Sequence, residues 1–278
     1  MLRTCPLLTL FLMTALLPAF SAPLSAPPTP PVATPPEAPP VIDLLPLKKA
    51  LAPLEGSDAL QSHSTIRMTG TRQGVSVVLR EDLRILSCRP GRFRASLTQY
   101  DMTGGPQKKL VVVSNGATVW TYRPGLRQYS QMSLAGFKKA DSEIPTLGLV
   151  VGGFYLGDGH PLVDGFHSIT PGNSTAVLSA LGSMDVTMAR QTKSIGGQDD
   201  YVYSLTLAKQ NLAYQFYVSS QTNRLTRVDL TGSQDSTQFT YREDILSIVP
   251  QSSGPSSVFV FTPPLGVAKA AAVSINPF

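Results

Sequence analysis

Apolar and polar residues alternate along most of the chain after residue 60, with the period of two that is typical of β-strands. The alternation is plainest in two neighbouring segments. The residues that share one face are Tyr201, Tyr203, Leu205 and Leu207 in the first segment, and Leu212, Tyr214, Phe216 and Val218 in the second. Strands of this kind pack one face against a core and expose the other to water.

The same pattern predicts a long series of short strands separated by turn residues. They are Thr65–Thr69, Val75–Arg80, Leu83–Cys88, Arg92–Thr98, Lys109–Ser114, Thr118–Tyr122, Gln128–Met132, Asp185–Arg190, Tyr201–Leu207, Leu212–Ser219, Leu225–Thr231, Gln238–Arg242 and Val258–Thr262. Asn115-Gly116 is predicted to form a type I′ hairpin turn, and Gly196-Gly197 a second turn. Because a flat sheet of this size would leave exposed edges, the pattern favours a sandwich or a strongly curved antiparallel sheet.

Two segments depart from the strand pattern. Residues 41–60 carry leucines at helical spacing, interrupted at Pro46 and Pro53, and predict one helix. Residues 134–162 are apolar at irregular spacing and rich in glycine, which predicts short helices and loops that cover another part of the fold. This composition fits a mobile lid and an ordinary connecting loop equally well.

The N-terminus has the features of an export signal. Arg3 precedes an apolar run, 7–17, and Ala19 and Ser21 are small residues at the positions that signal peptidases require. Half of the residues in 23–40 are proline, which predicts an extended spacer with no core. The expected organisation is therefore a signal peptide, 1–21, a spacer, 22–40, and one folded domain, 41–278. An anchor retained from the apolar run is the less favoured alternative, because the run is short.

Composition and charge narrow the classes of function. The chain of 278 residues is 42% hydrophobic and 15% charged, too apolar for a disordered protein. A net charge of +5 is scattered along the sequence, which suggests mild attraction to anionic membrane surfaces; nucleic-acid binding would need clustered Lys and Arg. Two cysteines, one of them in the leader, provide no disulfide framework.

The usual parts of a catalytic site are missing from the sequence. His160 and His167 lie near acidic residues in a Gly/Pro-rich segment, but their spacing is not that of a zinc site and turn formation explains it. There is no GxSxG, P-loop, GxGxxG or CxxC motif. Cys88 beside Arg89 fits a nucleophile, but a small apolar core residue is the favoured interpretation. We expect no enzyme activity, no metal and no cofactor.

Three sequence blocks occur in one order after the predicted helix. They are Arg89–Arg94 (RPGRFR), Val113–Pro124 (VSNGATVWTYRP) and Val258–Val267 (VFVFTPPLGV). Together they resemble the periplasmic outer-membrane lipoprotein carriers of the LolA/LolB-like superfamily, with this chain as a possible divergent branch. The resemblance implies an incomplete, strongly curved antiparallel β-barrel, that is, a half-barrel, with a helical lid and an apolar cavity for acyl chains.

The resemblance also assigns roles to residues. Arg89 matches the family arginine that holds the lid closed, so we expect it to be the lid latch; Arg92 and Arg94 are expected to face solvent. The aromatic residues expected to line the cavity and contact ligand are Phe93, Trp120, Tyr122, Phe259 and Phe261. Ordinary core packing is the alternative for these aromatics. Residues two apart on a strand project from one face, which pairs Trp120 with Tyr122 and Phe259 with Phe261.

The function that the resemblance implies is a monomeric periplasmic carrier that shields the acyl chains of lipoproteins or another lipid. Its expected partners are an inner-membrane donor complex and an outer-membrane acceptor, with no nucleic acid. The alternative is a non-transporting periplasmic sensor or regulator that docks a membrane-protein partner on the same fold. The chain departs from the family pattern in its extra residues between Met132 and Asp185, and its tail after Gly266 gives little support for the family's partner-docking end.

Overall fold

The computed structural model describes residues 42–100, 105–141, 147–155, 170, 178, 181–182, 185–234, 237–252 and 256–273. All of these fall in one compact unit, Pro40–Phe278. The predicted signal peptide, the predicted spacer, His160 and His167 lie outside the described residues. No helix in the described residues is both long and apolar enough to cross a membrane.

The strands form one 12-stranded sheet. Their bounds are Ala59–Arg72 (β1), Val75–Cys88 (β2), Arg92–Tyr100 (β3), Pro106–Asn115 (β4), Thr118–Arg123 (β5), Gln128–Ser133 (β6), Val186–Ile195 (β7), Gln198–Leu207 (β8), Leu212–Ser219 (β9), Leu225–Gln234 (β10), Thr237–Gln251 (β11) and Ala268–Lys269 (β12). Their order in space is β12-β6-β5-β4-β3-β2-β1-β11-β10-β9-β8-β7.

The sheet curls but does not close, because its two edge strands, β12 and β7, do not pair with each other. All neighbouring strands are antiparallel except β12, which runs parallel to β6. The long strands β1 and β11 pair along their whole length and join the two halves of the chain in the centre of the sheet. The prediction of an incomplete antiparallel barrel with helical elements is confirmed.

One strand was predicted as two. β2 continues through Glu81 and Asp82, where the apolar alternation is broken and the sequence predicted a gap between strands. Both residues pair with β1 and β3 in an unbroken ladder. Glu81 is buried and its carboxylate accepts a hydrogen bond from the Gln99 amide at 2.6 Å, which explains how a charged residue fits inside a strand.

The turn prediction at Asn115-Gly116 is right in place and wrong in type. Only Gly116 of this pair has a positive φ, 95°, whereas a type I′ turn needs positive φ at both central residues. The Asn115 side chain instead accepts hydrogen bonds from the amides of Ala117 and Thr118, both at 2.9 Å. The turn at Gly196-Gly197 has positive φ at both residues.

Helix α1, Leu45–Gly56, confirms the helix predicted before the strands. Pro46 lies in its first turn, where a missing N–H costs nothing, and Pro53 lies within the helix. The stripe that it buries is Leu44, Leu47, Leu51 and Leu54. Leu60, assigned to the same stripe from the sequence, belongs to β1.

Two further helices lie in the glycine-rich segment after β6. They are α2, Leu134–Asp141, and a π-helix, Gly148–Tyr155. Helix α2 packs against β5 and β6, and the π-helix packs against α1 and β1. The prediction of short covering helices is confirmed for the described part of this segment.

The predicted strand Val258–Thr262 is wrong. Ser256–Phe259 forms a 3-10 helix, and the Val260 amide closes it with a hydrogen bond to the Ser257 carbonyl. Residues 256–273, which we call the strap, continue to β12 and reach β6, where the Val273 amide donates to the Ser130 hydroxyl at 3.0 Å. The apolar alternation in this segment suggests a strand, but its two phenylalanines, Phe259 and Phe261, pack against side chains of the sheet.

Candidate functional site

The two faces of the sheet differ in what covers them. Phe93 lies opposite Ser114, which lies opposite Val119, so these three side chains share one face. Phe93 and Val119 belong to the main hydrophobic core together with the leucines of α1. We call this face, which the helices cover, the inner face, and the opposite one the outer face.

The inner face is lined mainly by apolar side chains, with buried polar side chains among them, such as Ser64, Ser87 and Ser114. Every strand from β1 to β5 and from β7 to β11 contributes to the same core. Tyr203, Leu205, Phe216 and Val218 belong to it, so the predicted inward faces of β8 and β9 are confirmed. In the part of the chain that the structure describes, α1, α2 and the π-helix contribute buried side chains that pack on this surface.

Arg89 holds the C-terminal turn of α1. Its guanidinium donates to the carbonyl oxygen of Leu54 at 2.8 Å, and its main-chain amide donates to the Asp58 carbonyl at 2.8 Å. The last carbonyls of a helix have no partner within the helix, so an arginine is well suited to this place. The contact that a lid latch requires is therefore present, and the latching role remains a prediction.

Tyr203 holds the other end of α1. Its hydroxyl donates to the Asp43 carbonyl at 2.9 Å, just before the helix begins. Burial is the main cause that raises the pKa of Tyr203 to about 12, so this hydroxyl keeps its proton at physiological pH. Arg89 and Tyr203 thus each hold one end of α1, and the apolar stripe packs on the sheet between them.

The π-helix is attached through a buried carboxylate. Glu243 of β11 is 2% exposed and accepts hydrogen bonds from the amides of Leu149 at 2.7 Å and Val150 at 3.2 Å. Tyr241 also donates to it, at 3.4 Å. Gly148 has φ +77° and leaves no room for a side chain, because an added Cβ would lie 2.7 Å from Glu243 Oε1. Glu243 thus occupies the place of a cap for the first free amides of the π-helix.

Burial raises the pKa of the Glu243 carboxyl above its ordinary value. The hydrogen bonds from Ser64, from the two π-helix amides and from Tyr241 lower it, but burial dominates. Glu243 of β11 pairs with Ile66 of β1, and Ile66 pairs on its other side with Glu81 of β2. Two buried acidic residues therefore lie in one row of the inner face, on either side of Ile66. They share the inner face with other buried polar side chains, among them Ser64, Ser87 and Gln99.

Phe93 is the predicted ligand residue that lies on the inner face. It is fully buried, and its ring lies 5.9 Å from that of Phe137, centroid to centroid. Phe137 belongs to α2, so this helix covers Phe93 directly. The ring is therefore covered in this structure, and its contact with a ligand stays a prediction.

The other four predicted aromatics lie on the outer face. Trp120 and Tyr122 follow Val119 and Thr121 in alternation, so both point away from the core, and they contact the ring of Phe261 at 6.4 and 5.7 Å. Tyr129 completes this cluster at 5.6 Å from Phe261. The five predicted aromatics therefore do not share one face of the sheet, because residues two apart share a face but the sequence does not say which face. Their contact with a ligand stays a prediction.

Phe259 has separate neighbours. It packs with Ala59 and Cys88 in a small cluster, and the Arg92 guanidinium lies 5.5 Å from its ring centroid. Arg92 also donates to the Cys88 sulfur at 3.1 Å, so the expectation that Arg92 faces solvent is wrong; Arg94 is half-buried as well. Cys88 is 3% exposed, as a small apolar core residue should be.

Sequence reasoning missed Glu243, Glu81 and Gln99. A signal for Glu243 does exist: Phe239, Tyr241, Glu243 and Ile245 alternate along β11, which places the glutamate on the apolar face. The predicted strand ended at Arg242 and so stopped one residue short of it.

No protein-family model matches the chain, and no curated protein matches it. Solved structures do resemble it, and their matched regions cover most of the chain. A LolA superfamily protein from Nitrosomonas europaea has 14% identity and a TM-score of 0.32, over 76% of this chain and 97% of that one. A putative outer membrane lipoprotein-sorting protein domain from Vibrio parahaemolyticus has 11% identity and a TM-score of 0.31, over 78% and 95%.

The third similar structure is the MucA/MucB complex of Pseudomonas aeruginosa, with 12% identity and a TM-score of 0.32. The match covers 78% of this chain and 60% of the other.

Proposed function

We propose that this chain is a carrier that shields acyl chains, of lipoproteins or of another lipid, against the inner face of its half-barrel. The observation that carries the proposal is the way the inner face is covered. Among the residues that the structure describes, α1, α2 and the π-helix pack on its apolar surface, and contacts of Arg89, Tyr203 and Glu243 attach α1 and the π-helix to the sheet. A cover of this kind can be displaced without breaking the sheet.

An acyl chain can replace the π-helix at little cost in free energy. Leu147, Leu149, Val150 and Val151 are all buried, and four such side chains contribute roughly 8 kcal/mol. Burial of an acyl chain contributes about 0.8 kcal/mol per methylene, so about ten buried methylenes offset that loss. Exchange of cover for cargo would then be nearly balanced, which allows both loading and release.

A carrier needs such a balance. Full burial of two or three chains of ~16 carbons would nominally exceed 20 kcal/mol, above the practical ceiling of about 18–21 kcal/mol on non-covalent affinity. Arg89 is proposed to set the balance, because its bond to Leu54 favours the closed cover. Replacing Arg89 by Leu should let cargo enter but slow its hand-over to an acceptor, because the cover no longer closes behind the departing cargo.

The setting proposed for this activity is the periplasm, reached through cleavage of the predicted signal peptide, 1–21. The spacer, 22–40, would separate the folded domain, 41–278, from the N-terminus. An inner-membrane donor complex and an outer-membrane acceptor would load and unload a monomeric carrier. We propose no catalytic role, no cofactor and no nucleic-acid partner.

Native mass spectrometry of the protein isolated from a bacterial periplasm tests this function. A carrier should retain an added acyl mass that organic extraction removes. Protein that is free of acyl mass but holds a membrane-protein partner would overturn the proposal in favour of a sensor or regulator. In a transfer assay, Arg94→Leu is the matched control for Arg89→Leu, because Arg94 lies on the outer face of the neighbouring strand. Normal hand-over by Arg89→Leu would remove the latch from the proposal.

A further inference from the structure

The hairpin between β1 and β2 carries an exposed apolar tip. Gln73 and Gly74 form its turn, both with positive φ. Just beyond it, Val75 is 68% exposed and Val77 is 50% exposed. Single exposed valines are common on protein surfaces, but two at consecutive positions of one strand face form a continuous apolar edge.

These valines extend the inner face beyond its helical cover. Val75, Val77, Leu79 and Glu81 alternate along one face of β2, and exposure falls from the tip to the buried Glu81. Val77 lies opposite Gly70, which has no side chain to cover it, and the half-buried Phe239 lies opposite Gly70 on the other side. The tip is thus an apolar lip, Val75 with Val77, that joins the covered inner face.

Two arginines lie on the outer face of the same hairpin. Arg67 of β1 is directly opposite Arg80 of β2, and both are exposed. Arg242 lies opposite Arg67 in the next strand, but it bonds Asp229 at 3.1 Å. Neither Arg67 nor Arg80 forms an ion pair with any residue that the structure describes. Like charges placed directly opposite each other destabilise a sheet, so this pair is explained best by an anion that binds both.

We propose that the β1–β2 hairpin docks on an anionic phospholipid bilayer, with the lip in the interfacial layer and Arg67 and Arg80 at lipid phosphates. Arg80 is three residues from Val77, about 10 Å along a strand, which matches the depth of about 5–10 Å to which interfacial apolar surfaces insert. Guanidinium groups bind phosphate with paired hydrogen bonds. This surface goes beyond the carrier proposal, because it concerns a membrane and not a cargo.

Vesicle co-sedimentation of the full chain tests the docking surface. The probe is vesicles of phosphatidylethanolamine with phosphatidylglycerol, compared with vesicles of phosphatidylcholine, across a series of salt concentrations. Wild type should bind the anionic vesicles more tightly, and the difference should shrink as salt rises. Replacing both Arg67 and Arg80 by Gln should weaken binding roughly 25-fold, since each basic residue near an anionic surface contributes about fivefold.

Replacing Val75 and Val77 by Ser should weaken binding roughly tenfold, with less effect of salt. Val249→Ser is the matched control, because Val249 is 46% exposed on β11 away from the hairpin. Lys193→Gln with Arg224→Gln removes the same charge from other exposed positions. Since all variants share residues 1–41, a difference between them reports on the hairpin.

The proposal is overturned if wild type binds both kinds of vesicle equally, or if the control variants lose as much binding as the hairpin variants. Folding is checked by thermal unfolding, where Arg67→Gln with Arg80→Gln should match or exceed wild type because a like-charge pair is removed. Lost docking with retained acyl mass would overturn this inference and leave the carrier proposal standing. Retained docking without acyl mass would overturn the carrier proposal and leave this inference standing.

Discussion

The Glu243 carboxylate lies 2.7 Å from the Leu149 amide, a hydrogen bond between residues 94 positions apart in the chain. It joins the central strand β11 to the π-helix that covers the inner face. A buried carboxylate is stable only where donors replace its water, and the free amides at the start of a helix provide them. The bonds of Glu243 to the Leu149 and Val150 amides therefore hold the π-helix in place on the sheet.

Gly148 is required for this contact, and Gly148→Ala should loosen the π-helix. Alanine would have to adopt φ +77° and would place its Cβ 2.7 Å from Glu243 Oε1, which costs roughly 1–3 kcal/mol. Hydrogen exchange should become faster in peptides that contain 147–155, with little change in β1. Gly153→Ala is the control, because an added Cβ there meets nothing within 4 Å. Equal exchange in the two variants would contradict the role of Gly148.

The raised pKa of Glu243 predicts a loss of stability as pH rises. Burial lifts the pKa above the ordinary value of 4.5, so the folded chain binds more protons at this site than the unfolded chain. The free energy of unfolding must then fall from pH 4.5 up through the raised pKa, and the contribution is fully present below pH 4.5. Urea unfolding of wild type and Glu243→Gln across this range measures it.

Glutamine keeps the carbonyl acceptor for Leu149 but cannot ionise. We therefore expect wild type to lose stability relative to Glu243→Gln as pH rises, while other titrating groups cancel in the difference. A difference that is constant with pH would show that Glu243 does not titrate in this window.

The strand layer could be predicted from the sequence because alternation is a local signal. Tyr203 and Phe216 were placed on packed faces, and both are fully buried. The helix before the strands was predicted from its leucine stripe for the same reason. Errors arose where one residue broke the pattern locally and a distant residue compensated, as Gln99 does for Glu81.

The candidate site was harder to predict, because which face is inner depends on contacts far apart in the chain. Trp120 and Tyr122 do share a face, but residues near the C-terminus cover it, and nothing within β5 indicates this. The family resemblance gave Arg89 a role at the helical lid but named no partner, and the contact with Leu54 is known only from the structure. Arg89 and Leu54 are 35 positions apart in the chain, and the sequence spacing does not say whether two such residues meet in the fold.

Tyr203→Phe should weaken the attachment of α1 by removing its hydrogen bond to the Asp43 carbonyl. A single neutral hydrogen bond contributes about 1 kcal/mol, so the free energy of unfolding should fall by about that amount. Tyr201→Phe, a change of the same atom on the same strand face, should have a smaller effect. The two variants are compared by urea unfolding at one pH, and equal losses would rule out a specific role for the Tyr203 hydroxyl.

Phe261→Ala should free the strap from the outer face. Phe261 contacts Trp120, Tyr122 and Tyr129, and these contacts hold the strap against the sheet near β6. Truncation of a half-buried phenylalanine should cost about 1–3 kcal/mol, less than the 3–5 kcal/mol of a fully buried one. Because Trp120 is the single tryptophan of the chain, its fluorescence reports directly on the loss of the contact between Trp120 and Phe261.

Emission from Trp120 should shift to longer wavelength in Phe261→Ala, and acrylamide should quench it more strongly, because water gains access to the indole. Val260→Ala is the matched control, since Val260 is adjacent in sequence but 56% exposed. If the two variants show the same quenching, Phe261 does not shield Trp120, and other contacts, such as the Val273 bond to Ser130 and the β12–β6 pairing, hold the strap on the sheet.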